Sequence, residues 1–243
     1  MKDKNWEFTG ETKDFGDVKL KRIRLTKDCE CGEKGTVGGW IEKESNLSGN
    51  AFVYDDAMVF GDAVVYGNAR VYDDAIIHDN AKVFGDALIE DSSRVYGNAC
   101  VLDNAWVRDN AWVYGNARVY GDARVYGNAW VNGESMVYGY AIVSGNARVF
   151  DDANVHGNAY VYGKARVHDD AIATREVFTS NYARNLTLTD SHISYGGIQK
   201  TIKEWEEWLE SDEVIETKRD TDKFKLIELE LKTAILKSKM QYE

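Results

Sequence analysis

Proline is missing altogether from these 243 residues. Average usage would supply roughly a dozen, so no rigid, proline-shaped loop is expected. Cysteine is scarce, with three. Cys29 and Cys31 stand too close for an easy disulfide and Cys100 is alone, which points to a reducing compartment, the cytosol. Cys29-Glu30-Cys31 would make half of a metal site, but no second Cys/His pair with zinc spacing follows, so neither metal nor cofactor is expected. No apolar run approaches the roughly 18 residues of a membrane span, and Met1-Lys2-Asp3-Lys4 lacks the apolar stretch of a signal peptide. Basic residues are outnumbered, 30 Lys+Arg against 41 Asp+Glu, for a net charge of −11. Bulk attraction to nucleic acid or to an anionic membrane is thereby excluded, and direct nucleic-acid binding is not expected.

What the chain does have is a period. Alanine, or serine at Ser93 and Ser135, occupies every sixth position from Ala51 to Ala171, which makes 21 units without an insertion. An aliphatic residue follows two places later in each unit, from Val53 to Val167, as in Ala117-Arg118-Val119-Tyr120-Gly121-Asp122. Valine and tyrosine favour strands, and Gly-Asn or Asp-Asp every six residues is turn chemistry, so a helix is excluded. Six-residue units with two inward side chains predict a mainly β protein, a left-handed parallel β-helix with three units per triangular coil. Residues 39–174 would give about 7.5 coils and a prism roughly 36 Å long at ~4.8 Å per coil.

An open solenoid cannot leave its terminal coils bare. Residues 1–38 alternate at Val18-Lys19-Leu20 and Ile23-Arg24-Leu25 and are read as a β cap of two or three strands. Residues 175–243 form the second cap, with a strand pair at Leu186-Thr187-Leu188 and His192-Ile193-Ser194. A capping box, Thr201-Ile202-Lys203-Glu204, then opens a helix carrying Trp205, Trp208 and Leu209. A polar linker over 212–221 leads to a second helix with Phe224, Ile227, Leu231, Ala234 and Ile235 on one stripe. These helices need a surface, either the solenoid's own flank or another subunit.

The stretch Gly35-Thr36-Val37-Gly38-Gly39-Trp40-Ile41-Glu42, running into the Gly-Asn-Ala-x-Val-Tyr units, resembles phage- and prophage-encoded hexapeptide-repeat proteins often labelled acyltransferases. The tail Ile193-Ser194-Tyr195-Gly196-Gly197-Ile198-Gln199-Lys200-Thr201-Ile202-Lys203-Glu204-Trp205 is similar too, departing at Gly197 and Lys200. The resemblance implies a phage or prophage origin, and it supplies no catalytic residues to carry over. Fold alone does not make an enzyme. The alternative reading, a hexapeptide acyltransferase, needs a histidine base at a subunit interface and has His156 and His168 to offer. These and His78 occupy the outward aromatic position, where a ladder substitution accounts for them.

Position within the repeat separates the surface. Of 19 acids in residues 39–174, 17 fall at turns, along the prism's edges, whereas seven of ten bases sit on its faces. One edge collects Asp55, Asp56, Asp73, Asp74, Asp91 and Asp109. These read as solvated turn residues, with calcium binding or mimicry of DNA as the sharper alternatives. One face gathers Arg94, Tyr96, Trp112, Tyr114, Trp130, Arg148, Phe150, Arg166 and His168, with Trp112 stacked on Trp130. A ladder of this kind suits an interface, with the chain's own helices, another copy or a protein partner. The expected function is thus non-catalytic. It is an accessory binding protein, a rigid scaffold contacting a protein partner or itself, with inhibition of a host defence or nucleic-acid-handling enzyme as one outlet.

Overall fold

The computed structural model describes residues 4–180, 186–214, 218–219 and 221–240. Two-residue strands recur every six residues from Phe52 to Ala173, and each pairs with the strand 18 residues on, as Phe52 with Arg70 and Trp112 with Trp130. Two faces are parallel sheets of seven strands, and the third continues into the N-terminal strands to make ten. The period therefore yields a triangular β-solenoid of about seven turns.

Its interior follows from the unit. Ala111, Val113, Ala117 and Val119 have no exposure, and the same inward pair recurs in every coil. Alanine fits where the chain turns into a face and valine fills the centre, so the core is a continuous apolar column. Ser93 and Ser135 replace alanine without leaving a bare hydroxyl. Each Oγ donates to the carbonyl three residues back, Glu90 and Asn132, at 2.7 Å. The fifth position of the unit has positive φ, met by glycine (Gly115, 70°) or by aspartate (Asp55, 50°; Asp109, 59°).

Stacking like on like at 18-residue intervals builds side-chain ladders along the edges. Asn80 donates to Asn98 at 3.1 Å and Asn98 to Asn116 at 3.0 Å. Left-handed aspartates instead accept the backbone N–H of the next coil, Asp91 from Asp109 at 3.0 Å and Asp109 from Gly127 at 2.8 Å.

Both ends are capped. Trp6–Phe15 and Val18–Leu25 form an antiparallel hairpin, and Val37–Ile41 joins it to the first rung at Met58 and Val59. Leu20 packs with Trp40 and Met58 over the start of one face. In the loop between, Cys29 and Cys31 are disulfide-bonded, contrary to the expectation from their spacing. A tight turn, with Cys29 bridged to Gly32, sets their Cα atoms 5.1 Å apart, a separation a disulfide spans. Cysteine use consequently gives no argument for a reducing compartment.

The C-terminal cap is larger than the strand pair expected. Four antiparallel strands, Phe178–Ser180, Leu186–Leu188, His192–Tyr195 and Ile198–Thr201, form a sheet of their own. Helix α1 (Ile202–Glu210) starts at the capping box, where Thr201 Oγ1 accepts the Glu204 N–H and Glu204 accepts the Thr201 N–H. That backbone bond holds the Glu204 carboxyl below the usual range. Helix α2 spans Asp222–Met240; the linker over 212–221 lies partly outside the described residues. Both helices turn their buried faces into the cap. Trp205, Trp208, Phe224, Ile227 and Leu231 pack with Leu186, Leu188 and Ile193 in a second core, and Trp205 Nε1 donates to the Ile193 carbonyl at 2.7 Å. Among the described residues no helix is long and apolar enough to cross a membrane.

The edge ladders make a test of their own. A Cβ added at Gly115 would lie 3.0 Å from the Gly133 backbone nitrogen, at a φ that L residues resist. Gly115→Ala should lower the unfolding midpoint. Gly115→Asp should recover about 1 kcal/mol of that loss by accepting the Gly133 N–H. Denaturation curves in which alanine equals or outperforms aspartate would refute the ladder account.

Candidate functional site

The predicted interface face holds together through its own side chains. Trp112 and Trp130 stack with centroids 5.3 Å apart and planes 8° from parallel. Arg94 covers the outer face of Trp112 at 5.3 Å and Arg148 that of Trp130 at 4.3 Å, a cation–π–π–cation stack. Beside it runs a second column, Phe60, His78, Tyr96 and Tyr114, with centroids 4.9–5.2 Å apart. Burial pushes the Tyr96 hydroxyl upward, and the His78 ring, 3.0 Å from Asp79, holds that carboxyl low. Phe150 stacks on His168 at 4.9 Å and lies under Arg166 at 5.4 Å. Both tryptophans are half-buried. Arg94 and Arg148 cover the ring faces that the stack leaves free, so what Trp112 and Trp130 offer outward is ring edge.

His168 differs from its place in the prediction. It is 8% exposed, covered by the cap rather than open on the face. Its Nδ1 lies 2.9 Å from Asp169 and its Nε2 2.7 Å from Ser194 Oγ. A hydroxyl, an imidazole and a carboxylate in that order have the form of a nucleophile, base and orienting acid. Ser194 is 6% exposed, however, on an inner strand of the cap sheet, so a substrate carbonyl has no approach to Oγ. The group works instead as a fastening. The last coil ends in unpaired backbone, and the cap meets it group by group. Thr187 accepts the Arg166 N–H, Ser191 that of Ile172 and Asp190 that of Thr174, while Gln199 donates to the His168 carbonyl. Asp151, His168 and Asp169 bring ligand-type atoms within 4.8 Å of one another. Both nitrogens of His168 are already engaged, so the trio makes no case for a metal.

Along the acidic edge, Asp55, Asp73, Asp91 and Asp109 form one chain of carboxylate-to-amide bonds, 2.8 to 3.5 Å long. Asp56 accepts Trp40 Nε1 at 3.0 Å, and Asp74 is exposed at the adjoining turn. Neighbouring amides thus relieve the stacked acids. Residues 51–67, 63–79 and 111–125 match the YdcK beta solenoid repeat. Comparison with curated proteins gives no match. The matched residues all lie within the solenoid.

Exposure concentrates somewhere that was not predicted. Leu226, Leu229, Leu236 and Met240 of α2 are 41%, 62%, 59% and 67% exposed. With Thr233 they are spaced 3-4-3-4, a seam on the side of α2 opposite its buried stripe. The signal was present as a second periodicity in the same 19 residues, hidden by the stronger stripe of Phe224, Ile227 and Leu231. Lys225, Lys232 and Lys239 border the seam on one side, Lys223 and Lys237 on the other.

The fastening at His168 can be measured. Ser194→Ala leaves Nε2 buried without its partner and should lower stability by about 1–2 kcal/mol. A variant that melts with the parent chain would remove this role from the bond.

Proposed function

We propose that this protein is a non-catalytic binding protein in which a rigid solenoid carries a helical cap that docks a protein partner through α2. The observation behind this reading is the exposed seam of Leu226, Leu229, Leu236 and Met240. Leu236 also borders a groove of about 710 Å³ between α1 and α2, which extends the available surface. Three leucines held outward on a helix whose other side is fully used mark a contact surface.

The flanks select the occupant. A second copy laid antiparallel on the seam would set Lys232 against its own counterpart and Lys225 against Lys239. A parallel copy would set Lys232 against Lys237. Both arrangements oppose like charges. An amphipathic helix with carboxylates beside its apolar stripe fits better. Lys225–Asp222, Lys232–Glu228 and Lys239–Glu206 pairs stand at this surface; such exposed pairs are weak and exchange readily for an incoming acid. The acyltransferase reading draws less support, since His168 is enclosed and His156 is held in an aromatic stack with Tyr138 at 4.9 Å. Origin in a phage or prophage, action in the host cytoplasm and inhibition of a host enzyme belong to the proposal through the resemblance of Gly35–Glu42 and of the tail from Ile193 to Trp205, with the chain's acidity.

The defining experiment uses two synthetic helices with leucine at the seam positions, one flanked by glutamate and one by lysine. By fluorescence anisotropy the full chain should bind the glutamate-flanked helix. Leu229→Asp with Leu236→Asp should weaken it by about a hundredfold, given the burial of two leucines. Sedimentation should show a single chain per particle. Equal binding of both helices, binding of neither, or a dimer dissolved by the double substitution would overturn the proposal.

A further inference from the structure

The solenoid carries one concentration of positive charge that its acidic surroundings do not neutralise. Near its C-terminal end, Asn146, Arg148, Lys164 and Arg166 line a cleft of about 410 Å³. Arg148 and Arg166 are direct partners on adjacent rungs, a placement that sets two cations at strand spacing and is unfavourable by itself. Lys164 sits at the turn just before Arg166. Among the described residues none of the three cations pairs with a carboxylate. Several acids at this end are engaged elsewhere: Glu176 accepts the Tyr162 hydroxyl at 2.9 Å, Asp169 is held by His168, and Asp190 pairs with Arg175 at 2.8 Å, while Asp151 and Asp152 stand at the turn on the other side of the face.

The charge is also segregated along one edge. The edge that begins with Asp55 and Asp73 carries its last acid at Asp109 and continues as Asn128, Asn146 and Lys164. On this edge the cations thus stand clear of acids, which in the same two coils lie across the face at Asp151, Asp152, Asp169 and Asp170. Both guanidinium groups are pre-oriented. Arg148 lies 4.3 Å over Trp130 and Arg166 5.4 Å over Phe150, which fixes each Arg plane against a ring and leaves N–H edges for a ligand.

We infer that this cleft binds a phosphate-type oxyanion, the phosphate or diphosphate of a small molecule. Two guanidinium forks with an ammonium beside them match the charge and the bidentate geometry of such a group, and the Asn146 side chain adds a neutral donor at the rim. Recognition stops at the anion. Trp130 is stacked on Trp112 on one face and covered by Arg148 on the other, so neither of its ring faces is open to a nucleobase, and Phe150 is stacked under His168 and Arg166. Single-stranded nucleic acid, which needs such platforms, is a poorer fit. This site is independent of the seam on α2.

Titration calorimetry of the full chain with inorganic pyrophosphate at low ionic strength tests the assignment. One saturable site is expected. Arg148→Gln and Arg166→Gln should each weaken it about tenfold or more, the worth of a charge-assisted bond. Arg166→Lys should lose less, because it keeps the charge but not the fork. Arg118→Gln, an exposed arginine on another face, should leave binding unchanged, and circular dichroism melts confirm that each variant folds. The assignment fails if no saturable heat appears, if Arg118→Gln weakens binding as much as Arg148→Gln, or if a single-stranded oligonucleotide binds where pyrophosphate does not.

Discussion

Each coil is 18 residues long and hydrogen-bonds its neighbour without a shift in register, and the rest of the molecule follows from that constraint. It stacks every side chain on one of the same repeat position. For the inward alanines and valines this is an advantage, because identical layers close a column without voids. On the outside it creates difficulties, since it places aspartate on aspartate and arginine on arginine. The structure answers each difficulty locally. Left-handed aspartates turn a carboxylate onto the next coil's amide, asparagines chain amide to amide, and arginines lie flat over tryptophan or phenylalanine.

The same regularity creates the problem at the ends, because a ladder that repeats perfectly never closes. At the first coil a hairpin extends one sheet and lays Leu20 over Trp40 and Met58. At the last coil the solution is made of side chains. Thr187, Asp190, Ser191, Ser194 and Gln199 come from a separate sheet and supply, one by one, the partners that a further coil would have provided. His168 is part of that joint, its imidazole buried in contact with Ser194 of the cap and with Asp169.

How much of this was legible in the residues depended on whether the signal was periodic. The rod, its triangular section, the Trp112–Trp130 stack and the capping box at Thr201 could be read because each rests on spacing alone. The burial of His168 could not, because its partner Ser194 belongs to a segment outside the repeat. The outer strands of the cap sheet, Phe178–Ser180 and Ile198–Thr201, are short and carry little alternation. Cys29 and Cys31 were misjudged from spacing because the tight turn that brings them together is tertiary detail. The outward leucines of α2 are readable in principle, but two stripes on one helix compete, and the denser one masks the other.

Regular stacking makes the rod a ruler. A whole coil can be added or removed without rotating anything above or below it, since every residue keeps its azimuth after 18 positions. Length would then change in steps of ~4.8 Å, and the hairpin at one end would keep its angular relation to the helices at the other. Any other insertion would turn the far end relative to the near one. The distance between the two caps is therefore quantised, and adding or removing a coil changes it while their mutual orientation stays constant.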